Sequence, residues 1–312
     1  MTDSCRICQQ PGTHKMGAYT FCDVHYQRVQ RERSGVWQAD AASIVLLIVF
    51  ILLIIGLERW LQPVFSPVSL LVTGVITAVI PAIIWLTFFY RRDRMEPEPK
   101  GLVLQMYLLG GLLAAAVGIP VVENLFGVSS WLSSSPVWAQ LLSGLLIVGM
   151  THEFLKYAAV RFSVYNSQEF DECSDGVIYT TAVGLGYATM LNIDFVVASG
   201  GVALGSGAIR IVLTTLAHAA FAGVTGYFLG RQKFEQRPLW WMPAGVLTAA
   251  ALNSLFFFFR GMVSQGSLSD NGGMARPWIG LGLAVVLTTV ITVFLSRTIH
   301  RDIQALLAAE EG

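Results

Sequence analysis

Eight long apolar segments constrain what this chain can fold into more than any other feature of its sequence. They cover 41–57, 66–90, 101–122, 136–160, 175–197, 209–230, 239–259 and 277–297. A helix needs about 20 apolar residues to cross a bilayer, and in lipid every backbone polar group must be hydrogen-bonded within the protein. The sequence therefore predicts an all-α polytopic membrane protein, with about eight transmembrane helices in a membrane domain over 41–301.

The composition excludes the other broad classes. Of the 312 residues, 54% are hydrophobic and 13% are charged, whereas soluble domains carry about 25% charged residues. A disordered chain would have low hydrophobicity and high net charge, and here the net charge is zero. A neutral chain gives no reason to expect nucleic-acid binding, so the expected partner is the lipid bilayer. The sequence gives no indication of oligomeric state.

The distribution of Lys and Arg predicts the orientation of the spans. Cytoplasmic loops carry an excess of these residues. One side of the predicted bundle receives most of them: Arg28, Arg31, Arg33, Arg91, Arg92, Arg94, Lys100, Lys156, Arg161, Arg231, Lys233, Arg237, Arg297 and Arg301. The opposite side receives Arg59, Arg210, Arg260 and Arg276. An even number of spans, with the N- and C-termini both in the cytoplasm, fits this pattern.

Residues 1–35 form a polar head with the ligand pattern of a zinc ribbon. Cys5-x-x-Cys8 is followed by Cys22-x-x-His25, and two such pairs can close a tetrahedron around one Zn²⁺ ion. A disulfide framework is the alternative, but a cytosolic head disfavours disulfides. The sequence therefore predicts a small cytosolic zinc-ribbon-like domain with a structural ion, in which no coordination position is open for catalysis.

Ionisable residues inside the spans are the first candidates for function, because burying them in lipid is costly. His152, Glu153 and Lys156 lie within an arc of about 100° on one helix face of the fourth span. His218 lies in the sixth span. The alternatives are structural: Lys156 can pair with Glu153 at the cytoplasmic helix end, and His218 can bond a neighbouring helix.

Three stretches of sequence resemble the PrsW-type intramembrane metalloproteases, relatives of the CAAX-protease and bacteriocin-processing superfamily. The first runs Asp-Arg-Met-Glu-Pro-Glu-Pro over 93–99. The second, His152-Glu153-x-x-Lys156, matches the family's Glu-Glu-x-x-Lys box. The third comprises Asp-Gly-x-x-Tyr over 175–179 and Gly-Leu-Gly-Tyr-Ala-x-x-Leu-Asn over 184–192, where the family has Gly-Leu-Gly-Phe-Ala-x-x-Glu-Asn. His218-Ala219 matches a further box, so the resemblance covers about 70–260.

The resemblance implies a metal-dependent protease in the bacterial inner membrane that cleaves a membrane-bound protein such as an anti-sigma factor. In that chemistry a divalent ion, taken to be Zn²⁺, activates water and a glutamate accepts the proton. By position, Glu153 matches the general base, His218 matches a metal ligand, and Lys156 is a candidate to orient Glu153. Asn192 and Asp175 are candidates to contact substrate or support the site, although Asp175 can instead cap the fifth span.

Departures from the family pattern leave two interpretations open. His152 and Leu191 stand where the family has Glu, and Asn253 is the best match for a seventh-span His. In one interpretation His152 takes over a ligand role, and His218 with Asn253 or Glu153 completes the site. In the other, the chain is a pseudoprotease that serves as a membrane binding or sensory scaffold. A transporter would show repeated halves or broken helices, and the sequence has neither.

Overall fold

The protein is described from a computed structural model, which covers residues 4–5, 8, 10–16, 19–27, 36–61, 66–92, 98–198, 204–266, 282–294 and 297. Within this part of the chain the membrane domain consists of helices joined by turns and contains no strand, as the sequence predicts. Its helices are α1 Val36–Leu61, α2 Pro67–Arg92, α3 Lys100–Leu113, α4 Val128–Trp131, α5 Val137–Ser143, α6 Met150–Ser163, α7 Cys173–Ala198, α8 Leu204–Phe234, α9 Trp241–Gly266 and α10 Gly282–Phe294.

Two of these helices continue through wide π-helical turns. Ala114–Gly118 and Pro120–Leu125 extend α3, and Gly144–Gly149 joins α5 to α6. Pro120 has no N–H to donate, so it cannot take part in a regular helical ladder, and wider turns accommodate it. The fourth predicted span is therefore one helical stretch over 137–163.

Each predicted apolar segment coincides with a helical stretch in the described residues. Five helices are long and apolar enough to cross a membrane by length and composition: Pro67–Thr87, Lys100–Trp131, Cys173–Ala198, Gly207–Phe234 and Trp241–Gly261. Val45–Gly56 and Gly282–Phe294 are shorter apolar helices. The chain is thus a polytopic helical membrane protein, while the number of eight spans stays a prediction.

Helix α7 lies at the centre of the bundle. Residues 175–189 are all buried, which is typical of a helix covered on every side. It packs most extensively against α8 and α3, and also against α2 and α6. Glycine permits this close approach: a Cβ on Gly186 would lie 1.8 Å from the backbone oxygen of Tyr107, and one on Gly176 would lie 2.3 Å from that of Gly226.

The head contains a β-hairpin between its two ligand pairs. Strand β1, His14–Met16, pairs antiparallel with β2, Tyr19–Phe21, in the register His14 to Phe21. Residues 23–27 then form a helical turn, in which the N–H of Tyr26 donates to the carbonyl of Cys22 at 2.8 Å. The hairpin thereby carries the chain from the first ligand pair to the second.

Candidate active site

Glu153 lies at the centre of a buried polar cluster formed by four helices. Its side chain on α6 is fully buried, and its Oε1 atom accepts two hydrogen bonds. Lys156 Nζ donates from one turn along α6 at 2.7 Å, and Asn253 Nδ2 donates from α9 at 2.7 Å. One carboxylate oxygen of Glu153 is therefore fixed from two directions.

Close packing of α9 on the helical stretch before Glu153 makes the second of these bonds possible. A Cβ on Gly149 would lie 2.3 Å from the backbone oxygen of Ala250, and one on Gly144 would lie 2.7 Å from Ser254 Oγ. Ser254 Oγ also donates to the carbonyl of Leu141 at 2.9 Å. Small residues on both helices thus bring Asn253 within hydrogen-bonding distance of Glu153.

Two histidines and one tyrosine line the same cluster. The ring centroids of His152 on α6 and His218 on α8 are 5.7 Å apart. Tyr187 on α7 places its ring 5.1 Å from that of His152 and 6.0 Å from that of His218. The structure therefore brings together the predicted residues of the fourth, sixth and seventh spans, and adds Tyr187 to them.

The cluster contains nitrogen and oxygen atoms of the types that bind a divalent metal ion. Both ring nitrogens of His152 and the Oε2 atom of Glu153 are buried and have no hydrogen-bond partner in the described part of the chain. A buried polar atom without a partner costs about 1–3 kcal/mol. Imidazole nitrogen and carboxylate oxygen are zinc ligands, and the two histidine rings are close enough for one ion to contact both. His152 and His218 are the residues that could hold it, and the ligand atoms of His152, Glu153 and His218 do not all lie within 4.8 Å of one another.

Lys156 lies between two of these groups. Its Nζ atom is 2.7 Å from Glu153 Oε1 and 2.9 Å from His218 Nδ1, and its side chain is fully buried. The predicted pairing of Lys156 with Glu153 is therefore present, at a buried position. Lys156 therefore engages the Nδ1 atom of His218, and the Nε2 atom of that ring takes no part in this contact.

The two predicted supporting residues lie on either side of the cluster along α7. Asn192 Nδ2 donates to the carbonyl of Ile211 at 3.2 Å and to Thr215 Oγ1 at 3.1 Å, which ties α7 to α8. Asp175 lies about 18 Å from Tyr187 along the helix, at twelve residues of about 1.5 Å each. A direct contact of Asp175 with the cluster is therefore not part of the structure.

Asp175 instead closes the N-terminal turn of α7. Its Oδ2 atom accepts hydrogen bonds from the N–H groups of Asp171 at 2.8 Å and Glu172 at 2.6 Å. A carboxylate in the first turn that reaches back to preceding N–H groups is one half of a capping box. Asp175 therefore does not occupy the N-cap position itself but supports the helix start from inside the first turn.

The Glu-Pro-Glu-Pro stretch meets α7 through its second glutamate. The buried Glu98 accepts a hydrogen bond from the hydroxyl of Tyr179, which also lies 3.3 Å from the carbonyl of Glu169. Residues 93–97 of this stretch lie outside the described part of the chain. Two separate motif stretches are thus joined on the side of the bundle where α7 begins.

The four predicted ligands of the head converge on one point. The ligand atoms of Cys5, Cys8, Cys22 and His25 all lie within 4.8 Å of one another, and no other described group of three or more His, Cys, Asp or Glu residues does this. The sulfurs of Cys8 and Cys22 are 3.7 Å apart, too far for a disulfide. Two sulfurs bound to one tetrahedral zinc ion would be about 3.8 Å apart. The head therefore fits a structural zinc site.

Polar contacts beside this centre stabilise the hairpin. Thr13 Oγ1 donates to Asp23 Oδ1 at 2.8 Å, and His14 Nε2 lies 2.7 Å from the same oxygen. These contacts stabilise the ionised carboxylate, so the pKa of Asp23 is lower than its ordinary value. Asp23 thereby connects β1 to the turn that carries His25.

Sequence reasoning missed Tyr187 as a member of the membrane cluster. The residue stands inside the Gly-Leu-Gly-Tyr-Ala stretch, so its position was visible, but an aromatic residue in a span is usually a packing residue. Only the neighbouring rings of His152 and His218 mark it as part of the site. The available signal was that this chain has Tyr187 where the family pattern has Phe, which adds one hydroxyl.

Comparison with known families decides the relationship. The model of the PrsW family intramembrane metalloprotease matches residues 98–295, which is more than half of the chain. The chain belongs to the PrsW family. The match includes every membrane residue of the candidate site, from the Glu-Pro stretch at Glu98 to Asn253 on α9.

Curated relatives of the PrsW family agree with this assignment. Protease PrsW of Geobacillus kaustophilus is 35% identical over 149 residues, which cover 48% of this chain and 62% of the relative. Protease PrsW of Halalkalibacterium halodurans is 30% identical over 173 residues, covering 55% and 75%. Protease PrsW of Bacillus subtilis is 27% identical over 189 residues, covering 59% and 80%.

The PrsW relationship rests on sequence. The chain spans 62% of the length of the Geobacillus kaustophilus relative and 64% of that of the Oceanobacillus iheyensis relative, less than two thirds in both cases. No solved structure matches the chain.

Proposed function

We propose that the chain is a metal-dependent intramembrane endopeptidase that hydrolyses a peptide bond in a membrane-bound protein. The observation that carries the proposal is the state of Glu153. One of its oxygens is held by Lys156 and Asn253, while the other is buried and has no partner in the described residues. A carboxylate held in this way is prepared to accept a proton from water.

Each residue of the cluster has a defined role in this proposal. Glu153 is the general base, and its Oε2 atom takes a proton from the attacking water. Lys156 and Asn253 fix the other oxygen, so that the carboxylate keeps one orientation. The amide of Asn253 is directed at Glu153, which favours a positioning role for this residue over the predicted role as a ligand.

The proposed ligands of the membrane site are His152 and His218, because the Oε2 atom of Glu153 acts as the base. Histidine nitrogen is a common ligand of catalytic zinc. A zinc ion bound there would polarise the scissile carbonyl and lower the pKa of water. The head residues Cys5, Cys8, Cys22 and His25 would hold a second zinc ion, with a structural role.

The proposed substrate class follows from the family and from the location of the cluster. Helices surround Glu153 on all sides, so a substrate has to enter from within the bilayer or along the bundle. We therefore infer a membrane-bound protein substrate, of which an anti-sigma factor is one candidate. We also propose that the chain lies in the bacterial plasma membrane with both termini in the cytoplasm.

A non-catalytic scaffold is the second candidate, and two observations favour it. The Lys156 amine lies between Glu153 and His218, where it stabilises the cluster without any ion. Leu191 also supplies no carboxylate where the family pattern has Glu. In this alternative the chain binds a transmembrane partner but does not cleave it.

A cleavage experiment separates the two candidates. Membrane proteins of cells that express the wild-type chain or Glu153→Gln are compared for new chain termini. New termini are expected in cells with the wild-type chain and not in cells with Glu153→Gln, since loss of a general base lowers the rate of cleavage by about 10²–10⁴. Glu123→Gln is the matched control, because it makes the same chemical change outside the cluster. Glu123 lies in the π-helical extension of α3 and accepts a hydrogen bond from the N–H of Ser129. Absence of any Glu153-dependent terminus would favour the scaffold.

Metal content of the full chain in detergent gives an independent test. Wild-type protein is expected to hold about two zinc ions, one in the head and one in the membrane site. His218→Ala should lose about one of them, and Cys22→Ser should lose the other. The proposed metal-dependent mechanism would be contradicted if wild-type protein held about one zinc ion, and if that ion were retained in His218→Ala and lost in Cys22→Ser.

A further inference from the structure

Tyr187 is a buried member of the membrane cluster for which no role has been assigned. Its side chain is fully buried on α7. Its ring lies 5.1 Å from that of His152 and is stacked on that of His218 at 6.0 Å. The Nζ atom of Lys156 is 5.4 Å from the centre of the ring. The phenol is therefore adjacent to a proposed ligand on each of two helices.

The hydroxyl of Tyr187 has no hydrogen-bond partner in the described part of the chain. A buried tyrosine hydroxyl usually finds a partner, because leaving it without one costs about 1–3 kcal/mol. Other buried or half-buried tyrosines of α3 and α7 follow this rule: Tyr107 donates to Thr189 Oγ1 at 3.0 Å, and Tyr179 donates to Glu98. Tyr187 is an exception inside the candidate site.

Gly118 provides the space for this hydroxyl. A Cβ on Gly118 would lie 1.8 Å from the hydroxyl oxygen of Tyr187 and 2.8 Å from its Cζ. Any larger residue at 118 would displace the phenol. The π-helical turn that contains Gly118 therefore packs against the hydroxyl of Tyr187 but forms no hydrogen bond with it.

The other donors of the cluster are already engaged. Lys156 contacts Glu153 and His218, and the amide nitrogen of Asn253 bonds Glu153. His152 and His218 are the proposed ligands. Among the described groups of the cluster, the hydroxyl of Tyr187 is thus a donor that remains available to a group from outside the chain.

We propose that Tyr187 is a catalytic residue whose hydroxyl donates a hydrogen bond to the scissile carbonyl oxygen of the substrate. The inference rests on the proposed peptidase function. When the water oxygen bonds to the carbonyl carbon, the π electron pair moves to the carbonyl oxygen and one water proton moves to Glu153. Tyr187 keeps its own proton and stabilises the oxyanion. The C–N bond then breaks, and the proton on Glu153 goes to the leaving amine.

The test uses the zinc-loaded full chain and the single-span protein whose cleavage depends on Glu153. Tyr187→Phe removes only the hydroxyl, which the family pattern lacks, and in this altered site it should lower kcat about 10²- to 10³-fold, the usual effect of losing one oxyanion donor. KM and zinc content should stay at wild-type values. A peptide of that cleavage site with a phosphinate in place of the scissile amide, which mimics the tetrahedral intermediate, should bind more weakly by a similar factor.

Two further variants complete the test. Tyr107→Phe removes a hydroxyl that links α3 to α7 outside the cluster, and its kcat should be that of wild type. Gly118→Ala should lower kcat by displacing the phenol, and should add little to the loss in Tyr187→Phe.

The outcomes separate this role from the peptidase function itself. An unchanged kcat in Tyr187→Phe, or a loss explained by missing zinc or a raised KM, would overturn the role of Tyr187 and leave the peptidase intact. A wild-type chain without Glu153-dependent cleavage would overturn both.

Discussion

Replacement of Asn253 by alanine tests whether the position of Glu153, and not only its presence, controls the reaction. Asn253 reaches from α9 to donate to Glu153 Oε1 at 2.7 Å. In Asn253→Ala this oxygen keeps Lys156 as its only donor within the described cluster. The carboxylate then gains rotational freedom, and the orientation of Oε2 is no longer fixed.

The expected magnitude differs between stability and activity. Hydrogen bonds between membrane helices contribute about 0.6 kcal/mol on average and at most about 1.7 kcal/mol, so the free energy of unfolding should fall little. A hydrogen bond to a charged group contributes about 1.5–3 kcal/mol. If the reaction uses the full interaction, kcat should fall roughly 10- to 150-fold, at about 1.4 kcal/mol per factor of ten.

Ser254→Ala is the matched control for this prediction. Ser254 is the next residue on α9, is buried, and donates to the carbonyl of Leu141 on α5 at 2.9 Å. Its loss removes an interhelical bond of the same kind without touching Glu153. Thermal unfolding in detergent, zinc content and single-turnover cleavage are measured for both variants. Equal loss of activity in the two variants, or wild-type cleavage by Asn253→Ala, would refute the reasoning, and loss of zinc in Asn253→Ala would restore its predicted role as a ligand.

Two further predictions concern packing and the head. Gly186→Ala should destabilise the bundle by about 1–3 kcal/mol or more, because its Cβ would meet the backbone oxygen of Tyr107 at 1.8 Å and the backbone cannot rotate away. Gly261→Ala, with nothing within 4 Å of the new Cβ, should be neutral or stabilising by up to about 1 kcal/mol, and equal unfolding temperatures for the two variants would contradict the packing argument. In Cys22→Ser, limited proteolysis should cut the head while the membrane domain keeps its zinc. Resistance of the head to protease in this variant would show that its fold does not depend on the ion.

Much of the fold could be predicted from the sequence because lipid leaves few alternatives. A segment such as 209–230 must be helical to satisfy its backbone, so apolar length alone located the helices. The ligand spacing of the head was equally informative, since two short pairs can meet only if a turn joins them. The wide turns at Gly144–Gly149 were not predictable, because they depend on how closely α9 approaches.

The candidate site was predicted as a set of residue types but not as an arrangement. Spacing placed His152, Glu153 and Lys156 on one face, and this face is buried as a unit. Spacing could not place Asn253 on Glu153, since one hundred residues separate them and helix packing alone brings them together. For Asp175 the sequence left two roles open, a site residue or a helix cap. The structure gives it a local role at the start of α7.

The sequence by itself determined that this chain is a helical membrane protein, where its polar residues lie along each helix, and which of them match a PrsW-type site. Those properties follow from hydropathy and from the fixed rise and rotation of a helix. Only the tertiary structure decided that one oxygen of Glu153 is bound twice, that Lys156 reaches His218, and that the hydroxyl of Tyr187 lies buried without a partner in the described chain. The physical reason is that distances between helices depend on glycine contacts such as Gly149 against Ala250, which no single helix encodes.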